Sequence, residues 1–160
     1  MIFEKNRKMK TFFISVSIFA CCQLFAQSDK VVKWTATAEQ ESDNTYILTL
    51  SAKIDKSWHV YSQFISDEGP VKTSVRLENA DKLEMVGKST EEGIRKEGFD
   101  DIFGMELIKF SKQMTIKQRI KSAQALDSIS GDIEYMTCNN EICYPPVEVH
   151  FKTPVNKLSK

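Results

Sequence analysis

Several features that mark other protein classes are scarce or absent in this sequence. Basic and acidic residues are equal in number, 22 of each, so no charge excess points to a nucleic-acid partner. The only two histidines, His59 and His150, are far apart, whereas four-coordinate metal sites usually show paired ligand spacings. No amphipathic helix, internal repeat or domain linker is evident. These absences disfavour a metal site and favour one domain that is not helical.

The N-terminal segment has the pattern of a secretory signal peptide. A basic start (Lys5 to Lys10) precedes an almost wholly apolar run from Thr11 to Phe25, and Ala26 is a small residue before a polar stretch. The run is shorter than the ~20 residues that span a bilayer, which disfavours a permanent anchor. We therefore predict a signal peptide over residues 1–26 and a single domain over residues 27–160, with 160 residues in all being enough for a real core.

A lipoprotein is an alternative reading of the same segment. Ile18-Phe19-Ala20-Cys21 loosely matches a lipoprotein cleavage box, and its use would leave lipid on Cys21. The apolar Leu24-Phe25-Ala26 that follows disfavours it. Cleavage after Ala26 removes Cys21 and Cys22 and leaves a formal charge of −3. Export places the remaining two cysteines, Cys138 and Cys143, where a disulfide can form and persist.

Short strands account for nearly all of the regular structure that the sequence predicts. Tyr46–Ile54 carries the clearest signal, because apolar and polar residues alternate with a period of two over nine residues. Eight or nine such strands at spacings of roughly 8–12 residues are typical of an all-β, immunoglobulin-like antiparallel β-sandwich. The predicted strands are Val31–Ala38, Tyr46–Ile54, Trp58–Phe64, Thr73–Leu77, Leu83–Val86, Glu106–Phe110, Met114–Ile120, Ile129–Cys138 and Val147–Phe151.

Two connecting stretches and the C-terminal tail complete this prediction. A polar turn is expected over Glu39–Thr45, and the tail from Lys152 onward is expected to fray. Lys88–Gly104 has no clear periodicity and carries three glycines, so we predict a long loop. A loop of this length in a compact domain is usually functional or disordered, and Phe99, Ile102 and Phe103 argue against disorder.

The two remaining cysteines are five positions apart on a predicted hairpin. A two-residue turn at Asn140-Glu141 would pair Cys138 with Cys143, and asparagine tolerates the left-handed conformations of tight turns. Opposed residues in a non-hydrogen-bonded antiparallel pair have Cα atoms ~4.5 Å apart, at the short end of the disulfide range. A bridge is therefore feasible.

Three interpretations of the cysteine pair remain open on spacing alone. A structural staple is one, although closing a six-residue ring contributes only about 2 kcal/mol in the loop-entropy model, against almost 5 for a hundred-residue ring. A redox-active pair is the second, since strained or exposed bridges are the easily reduced ones. A metal site is the third, and it would need two more ligands.

The cysteine hairpin followed by Tyr144-Pro145-Pro146 resembles the N-terminal periplasmic domain of the thiol:disulfide interchange protein DsbD, the disulfide bond corrector family. The resemblance covers about Val31 to Phe151 and includes Lys53–Tyr61 and Phe103-Gly104. It implies an immunoglobulin-like fold and a cysteine pair that cycles between dithiol and disulfide. It further implies electrons received from a thioredoxin-like or DsbD-type membrane donor and passed to periplasmic disulfide proteins, with no cofactor.

The resemblance also implies roles for individual residues. Cys143 would form the mixed disulfides and Cys138 would resolve them. Phe103, with Phe99 in reserve, would be the aromatic cap over the disulfide, and ordinary core packing is the alternative role for both. Asp100 and Asp101 match acidic residues beside the cap, and Tyr61 falls where a tyrosine lines the site.

Two departures from the family pattern bear on this interpretation. Only four residues separate the cysteines, one fewer than in the better-known form, and the transmembrane and thioredoxin-like domains are absent from this chain. The sequence therefore predicts a periplasmic thiol–disulfide oxidoreductase that relays electrons for separate partners. The alternative is a non-enzymatic secreted β-sandwich that binds a partner and carries a structural disulfide.

Overall fold

The computed structural model describes residues 28–157, and these form an almost entirely β structure. The predicted signal peptide and Cys21 lie outside the described residues. One helical turn, α1 (Ser28–Val31), leads into eight strands. These are β1 (Val32–Ser42), β2 (Thr45–Ile54), β3 (His59–Tyr61), β4 (Ser74–Leu77), β5 (Leu83–Asp100), β6 (Met105–Ser122), β7 (Ser128–Cys138) and β8 (Cys143–Asn156). In this part of the chain, no helix has the length and apolar character to cross a membrane.

The strands pair into a sheet that closes on itself. Its order is β2-β1-β8-β7-β3-β6-β5, and a further pairing of β2 with β6 completes a ring of six strands. β5 extends the sheet beyond β6, and β4 pairs with β7 outside the ring. All pairings are antiparallel except a short parallel contact of β1 with β8, where Ala38 lies opposite Val155. The all-β class predicted from the sequence is confirmed.

The main core fills the inside of this ring. Along β2, Tyr46, Leu48, Leu50, Ala52 and Ile54 are buried while the residues between them are not, as the alternation predicts. Side chains from the other strands complete the core: Val60, Phe110, Ile116, Ile120, Ile129, Ile133 and Tyr135. Because successive residues of a strand point to opposite faces, Val60 faces this core and its neighbour Tyr61 faces the other side of the sheet.

A long hairpin of β5 and β6 replaces the loop predicted over Lys88–Gly104, and that prediction is wrong. β5 runs to Asp100, and only residues 101–104 form a turn. The strand was not recognised because its residues are mostly exposed and polar, so they do not alternate. Two register shifts interrupt it. At the second, Gly93 has φ +143°, and a side chain there would collide with the Gln113 carbonyl.

Other strand ends also differ from the prediction. β1 continues through much of the predicted Glu39–Thr45 turn to Ser42, and β3 is shorter than the predicted Trp58–Phe64 strand. Predicted strands Glu106–Phe110 and Met114–Ile120 are two parts of β6, which continues through Lys112 at φ 64°. The tail does not fray before Asn156, because Thr153 and Val155 are buried and Val155 N–H donates to the Asp127 carbonyl.

Candidate functional site

The cysteines close the turn between β7 and β8 in the register that the sequence predicts. Cys138 lies directly opposite Cys143, and Asn139 N–H donates to the Ile142 carbonyl at 2.9 Å. Neither residue of the turn has a positive φ. The Asn139 side chain stabilises the turn instead, since its Oδ1 accepts from the Glu141 and Ile142 amides at 2.8 Å each. The left-handed turn suggested for asparagine is therefore not used.

Cys138 and Cys143 form a disulfide, with their Cα atoms 4.0 Å apart. The two residues differ in exposure: Cys138 is fully buried, at 0%, whereas Cys143 is partly exposed. The difference arises from position, because Cys138 ends a central strand while Cys143 begins the strand that leaves the turn. An incoming thiol or disulfide can therefore reach Cys143 more readily than Cys138.

A row of four side chains crosses the sheet at this point. His59 on β3 lies opposite Cys138 on one side and opposite Ser111 of β6 on the other, and Cys138 lies opposite Cys143. Directly opposed residues project to the same face with Cβ atoms ~4.5–5.5 Å apart. The Thr137 hydroxyl fixes this register by donating to the His59 carbonyl at 2.9 Å. His59 is thus the immediate cross-strand neighbour of the buried cysteine.

An apolar cluster surrounds the disulfide on the face opposite the main core. Tyr61, Leu107 and Cys138 form its buried centre. Cys143 and four other partly buried side chains pack against it: Ile65, Phe103, Met105 and Met136. The end of β3 is held in place because the Tyr61 carbonyl accepts from Thr73 Oγ1 at 2.6 Å. The cluster shields the disulfide from water on its inner side.

The two candidate cap residues occupy different environments. Phe103, in the turn after β5, packs in the cysteine cluster and meets the Tyr61 ring edge-to-face with centroids 5.8 Å apart. Phe99 is 61% exposed and is not part of that cluster. The structure brings Phe103, Tyr61 and both cysteines together, and it leaves Phe99 at the surface.

Asp100 fixes the turn that carries Phe103. Its side chain is 2% exposed, and Oδ1 accepts from the amides of Ile102 and Phe103 at 2.8 and 3.2 Å. Oδ2 accepts from Lys109 Nζ at 2.7 Å. Burial alone would raise the pKa of Asp100, but the bonds from Lys109 and the two amides outweigh it and hold that pKa below its ordinary value. Asp101 is exposed.

His59 and Tyr61 form a hydrogen-bonded pair beside the cysteine. His59 Nε2 lies 3.2 Å from Tyr61 Oη. Burial lowers the pKa of His59 to about 4, and nearby Lys109 adds to the effect. Burial, helped by Asp100, raises the pKa of Tyr61. Both side chains are therefore neutral at physiological pH.

An aromatic stack of Tyr144 on Trp58 lies next to the cysteine hairpin. Tyr144 follows Cys143 directly, and its ring stacks on Trp58 with centroids 4.5 Å apart. Pro145 and Pro146 then hold the chain extended as β8 leaves the site. The Trp58–Tyr144 stack rigidifies the start of β8 next to the accessible cysteine.

Metal ligation has no support in the geometry of residues 28–157. No three His, Cys, Asp or Glu side chains in this range are grouped so that they could hold a metal ion. His150, the second histidine, pairs with Asp132 on the surface at 3.1 Å.

A comparison with protein families identifies the wider group. Residues 24–154 match the family described as thiol:disulfide interchange protein DsbD, N-terminal. The chain belongs to this family. The match covers most of the sequence and includes the cysteine hairpin, the β5–β6 hairpin and β3. A search of the curated proteins finds no match.

Solved structures of an ScsB and a DsbD N-terminal domain share the fold. The N-terminal periplasmic domain of ScsB from Proteus mirabilis is 16% identical with a TM-score of 0.59, over 79% of this chain and 47% of that one. The chain thus spans about half of that structure's length. The Neisseria meningitidis DsbD N-terminal domain in the reduced form is 19% identical with a TM-score of 0.52, over 78% and 85%. The predicted immunoglobulin-like β fold is confirmed.

Sequence reasoning missed two contacts at the cysteine hairpin. The sequence does not predict His59 as a neighbour of the cysteines, because its pairing with Cys138 joins positions far apart in the sequence. The Trp58–Tyr144 stack was missed for the same reason. An aromatic-rich segment next to a lone histidine is the one signal that could have drawn attention to β3.

Proposed function

We propose that this protein is a periplasmic thiol–disulfide exchange protein that relays reducing equivalents through Cys138 and Cys143. Membership of the DsbD N-terminal family supports a role in thiol–disulfide exchange. The observation that carries the proposal is the disulfide itself, which joins a partly exposed cysteine to a fully buried one at the end of a hairpin. This arrangement offers one sulfur to a partner and keeps the other in reserve.

The difference in exposure supports the assignment of roles. Exchange proceeds when a thiolate attacks a disulfide sulfur, so the attacked or attacking sulfur must be reachable. Cys143 is the reachable one, and it would form the mixed disulfide with the partner. Cys138, opposite it, would then attack the mixed disulfide and release the partner.

A cap over the pair is the second part of the proposal. Phe103 packs against the cysteine cluster and Tyr61, so its side chain would limit access to the reduced pair until a partner displaces it. Asp100 would hold the turn that carries it, and Asp101 would add negative charge at its exposed end. The exposure of Phe99 gives no support to the same role for that residue.

The proposed partners follow from the chemistry. The electron donor would be a thioredoxin-like or DsbD-type membrane protein, and the acceptors would be disulfide-containing proteins of the periplasm. The N-terminal signal pattern and the periplasmic description of the ScsB domain support this location. No organic cofactor is needed, because both electrons are carried by the two sulfurs.

Trapping of a mixed disulfide tests the proposal. A Cys138→Ala variant lacks the resolving thiol, so Cys143 should remain bound to its partners when the full chain is expressed with its own N-terminal segment. Non-reducing electrophoresis of periplasmic extracts should show reducible adducts. The matched Cys143→Ala variant should show few, since its remaining cysteine is buried.

The reduction potential separates this function from the alternative binding module. A structural bridge lies below about −300 mV, and an exchange disulfide is more oxidising. A potential below that value, together with no adducts in the Cys138→Ala variant, would refute exchange and leave a secreted β-sandwich with a structural disulfide.

A further inference from the structure

The burial of Cys138 creates a problem for the second step of exchange. To attack the mixed disulfide, the Cys138 thiol must lose a proton, because the thiolate is the nucleophile. The residue is 0% exposed, so water cannot take the proton directly. Its cluster neighbours Leu107, Phe103, Met105 and Met136 carry no base. A proton acceptor must therefore come from the remaining neighbours.

His59 is the neighbour placed to accept it. It is paired directly with Cys138 across β3 and β7, so both side chains project to the same face at cross-strand distance. His59 is 8% exposed. When its Nε2–H donates to Tyr61 Oη, the Nδ1 atom carries a lone pair. Nδ1 is close to the backbone, as is the short side chain of cysteine.

The charged and titratable groups around His59 keep its imidazole neutral, and a neutral imidazole is able to accept a proton. Burial, Lys109 of β6 and Lys96 of β5 lower its pKa, and Asp100 at the end of β5 opposes them. Tyr61 on its own strand is protonated, since burial raises its pKa. Neutral imidazole can accept a proton, and a thiolate forming at Cys138 would raise the imidazole pKa because opposite charges attract.

Asp100 and Asp101 are less suitable than His59 as acceptors of the Cys138 proton. Asp100 Oδ2 is bound to Lys109 at 2.7 Å, and Oδ1 is bound to two turn amides. Both carboxylate oxygens are thus engaged by donors other than Cys138. Asp101 is exposed and lies outside the row that contains Cys138. Among residues 28–157, His59 is the base that is paired directly across the strands with the buried thiol.

We propose that His59 accepts the proton of the buried Cys138 thiol while Cys138 resolves the mixed disulfide, an inference that rests on the exchange function proposed above. The Cys138 sulfur forms a bond to the Cys143 sulfur as the bond from Cys143 to the partner sulfur breaks. The electron pair of that bond leaves on the partner thiolate, and the proton passes from Cys138 to His59 and then to that thiolate or to water. The protein dithiol is oxidised and the partner disulfide is reduced.

Oxidised glutathione is a suitable probe because each of its two thiols leaves in a separate step. The reduced protein should first form a Cys143–glutathione adduct and then expel the second glutathione through Cys138. In acid-quenched samples analysed by mass spectrometry, a His59→Gln variant should accumulate the adduct, with resolution slower by about a hundredfold at pH 7. Adduct formation, measured alone in a Cys138→Ala background, should be unchanged. His150→Gln, which replaces the surface histidine, should match the wild type.

The pH profile provides a readout that a structural role would not move. Wild-type resolution should be constant between about pH 6 and 8, because His59 is already the free base there. Without His59, resolution should rise about tenfold per pH unit as the thiolate fraction grows. If the variant fails to fold, the wild-type profile is a sufficient test. A tenfold rise in the wild-type rate of resolution per pH unit would overturn the inference.

The outcomes separate this inference from the proposed function. A wild-type dithiol that releases both glutathiones, with a His59→Gln variant of equal rate and profile, would overturn the role of His59 and leave exchange intact. A wild-type dithiol that does not react with oxidised glutathione or with a thioredoxin-like protein would refute exchange and the inference together.

Discussion

At the scale of single residues, Asp100 links the stability of the fold to the geometry of the site. Its carboxylate binds two amides of the turn that carries Phe103 and also binds Lys109 on the adjacent strand. The bonds to a buried charge are among the stronger ones, about 1.5–3 kcal/mol each. Asp100 therefore stabilises the turn and also places a negative charge near the disulfide.

Replacement of Asp100 by asparagine should destabilise the protein in a pH-dependent way. Asp100→Asn keeps acceptors for the amides but loses the ion pair, and we expect a loss of about 1.5–3 kcal/mol in the free energy of unfolding at pH 7. Because the folded-state pKa lies below its ordinary value of 3.8, the wild-type advantage is present above that value and is lost as the pH falls through the folded-state pKa. Urea titrations at pH 7 and at a series of lower pH values measure both.

Asp101 is the control for this measurement. It is exposed, so Asp101→Asn should change the free energy of unfolding by less than about 0.5 kcal/mol. Equal losses in the two variants, or an Asp100→Asn deficit that persists at acid pH, would contradict the structural role of Asp100.

At the scale of elements, the β5–β6 hairpin delivers Phe103 to the cysteines. The hairpin is long because β5 pairs with β6 along nearly its whole length. Glu91 joins it to the end of β3, accepting from the Ser62 hydroxyl and the Gln63 amide at 2.5 and 2.7 Å. Two anchors therefore position the turn next to Tyr61. Asp100 binds the turn itself, and Glu91 binds β5 to the residues that follow β3.

Removal of the Phe103 ring should open the site. Phe103→Ala loses an edge-to-face contact worth about 0.5–1.5 kcal/mol, so alkylation of the reduced pair should become roughly two- to tenfold faster. Phe99→Ala is the matched control, because it removes an equal ring from the same hairpin at an exposed position. Stopped-flow measurements with a chromogenic thiol reagent give both rates. An unchanged rate for Phe103→Ala, or equal acceleration in both variants, would remove the cap assignment.

At the scale of the whole molecule, closure of the sheet makes the fold independent of the disulfide. The ring of six strands is held by main-chain pairing and a continuous core, while the bridge lies at one hairpin end and closes only a short loop. Closing such a short loop removes little entropy from the unfolded chain, so the bridge adds little to stability. The protein can therefore change redox state without changing its fold.

Reduction should lower the free energy of unfolding by only about 2 kcal/mol. Urea unfolding of the oxidised protein and of the reduced protein under argon should give two cooperative transitions of similar steepness. Ile133→Ala, which empties part of the main core, should cost about 2–5 kcal/mol and provides the scale for a structural loss. Unfolding on reduction would show that the bridge is structural.

The sequence predicted those parts of the molecule whose signals are local. Alternation along Tyr46–Ile54 marks a strand with one buried face, and the two residues between Asn139 and Ile142 determine the cysteine register. The strand over residues 88–100 could not be found this way, because an edge strand exposed on both faces needs no apolar alternation. The pairing of His59 with Cys138 is long-range, and only the closed sheet specifies it.

The unequal exposure of the two cysteines also determines how the pair meets peroxide. A thiolate that reacts with peroxide becomes a sulfenic acid, and further oxidation to the sulfinic acid is not readily reversed. The partly exposed Cys143 would react first, and Cys138, directly opposite, can condense with the sulfenic acid to give the disulfide and water. The end product is the disulfide, which a thiol donor can reduce, so the reaction with peroxide would remain reversible.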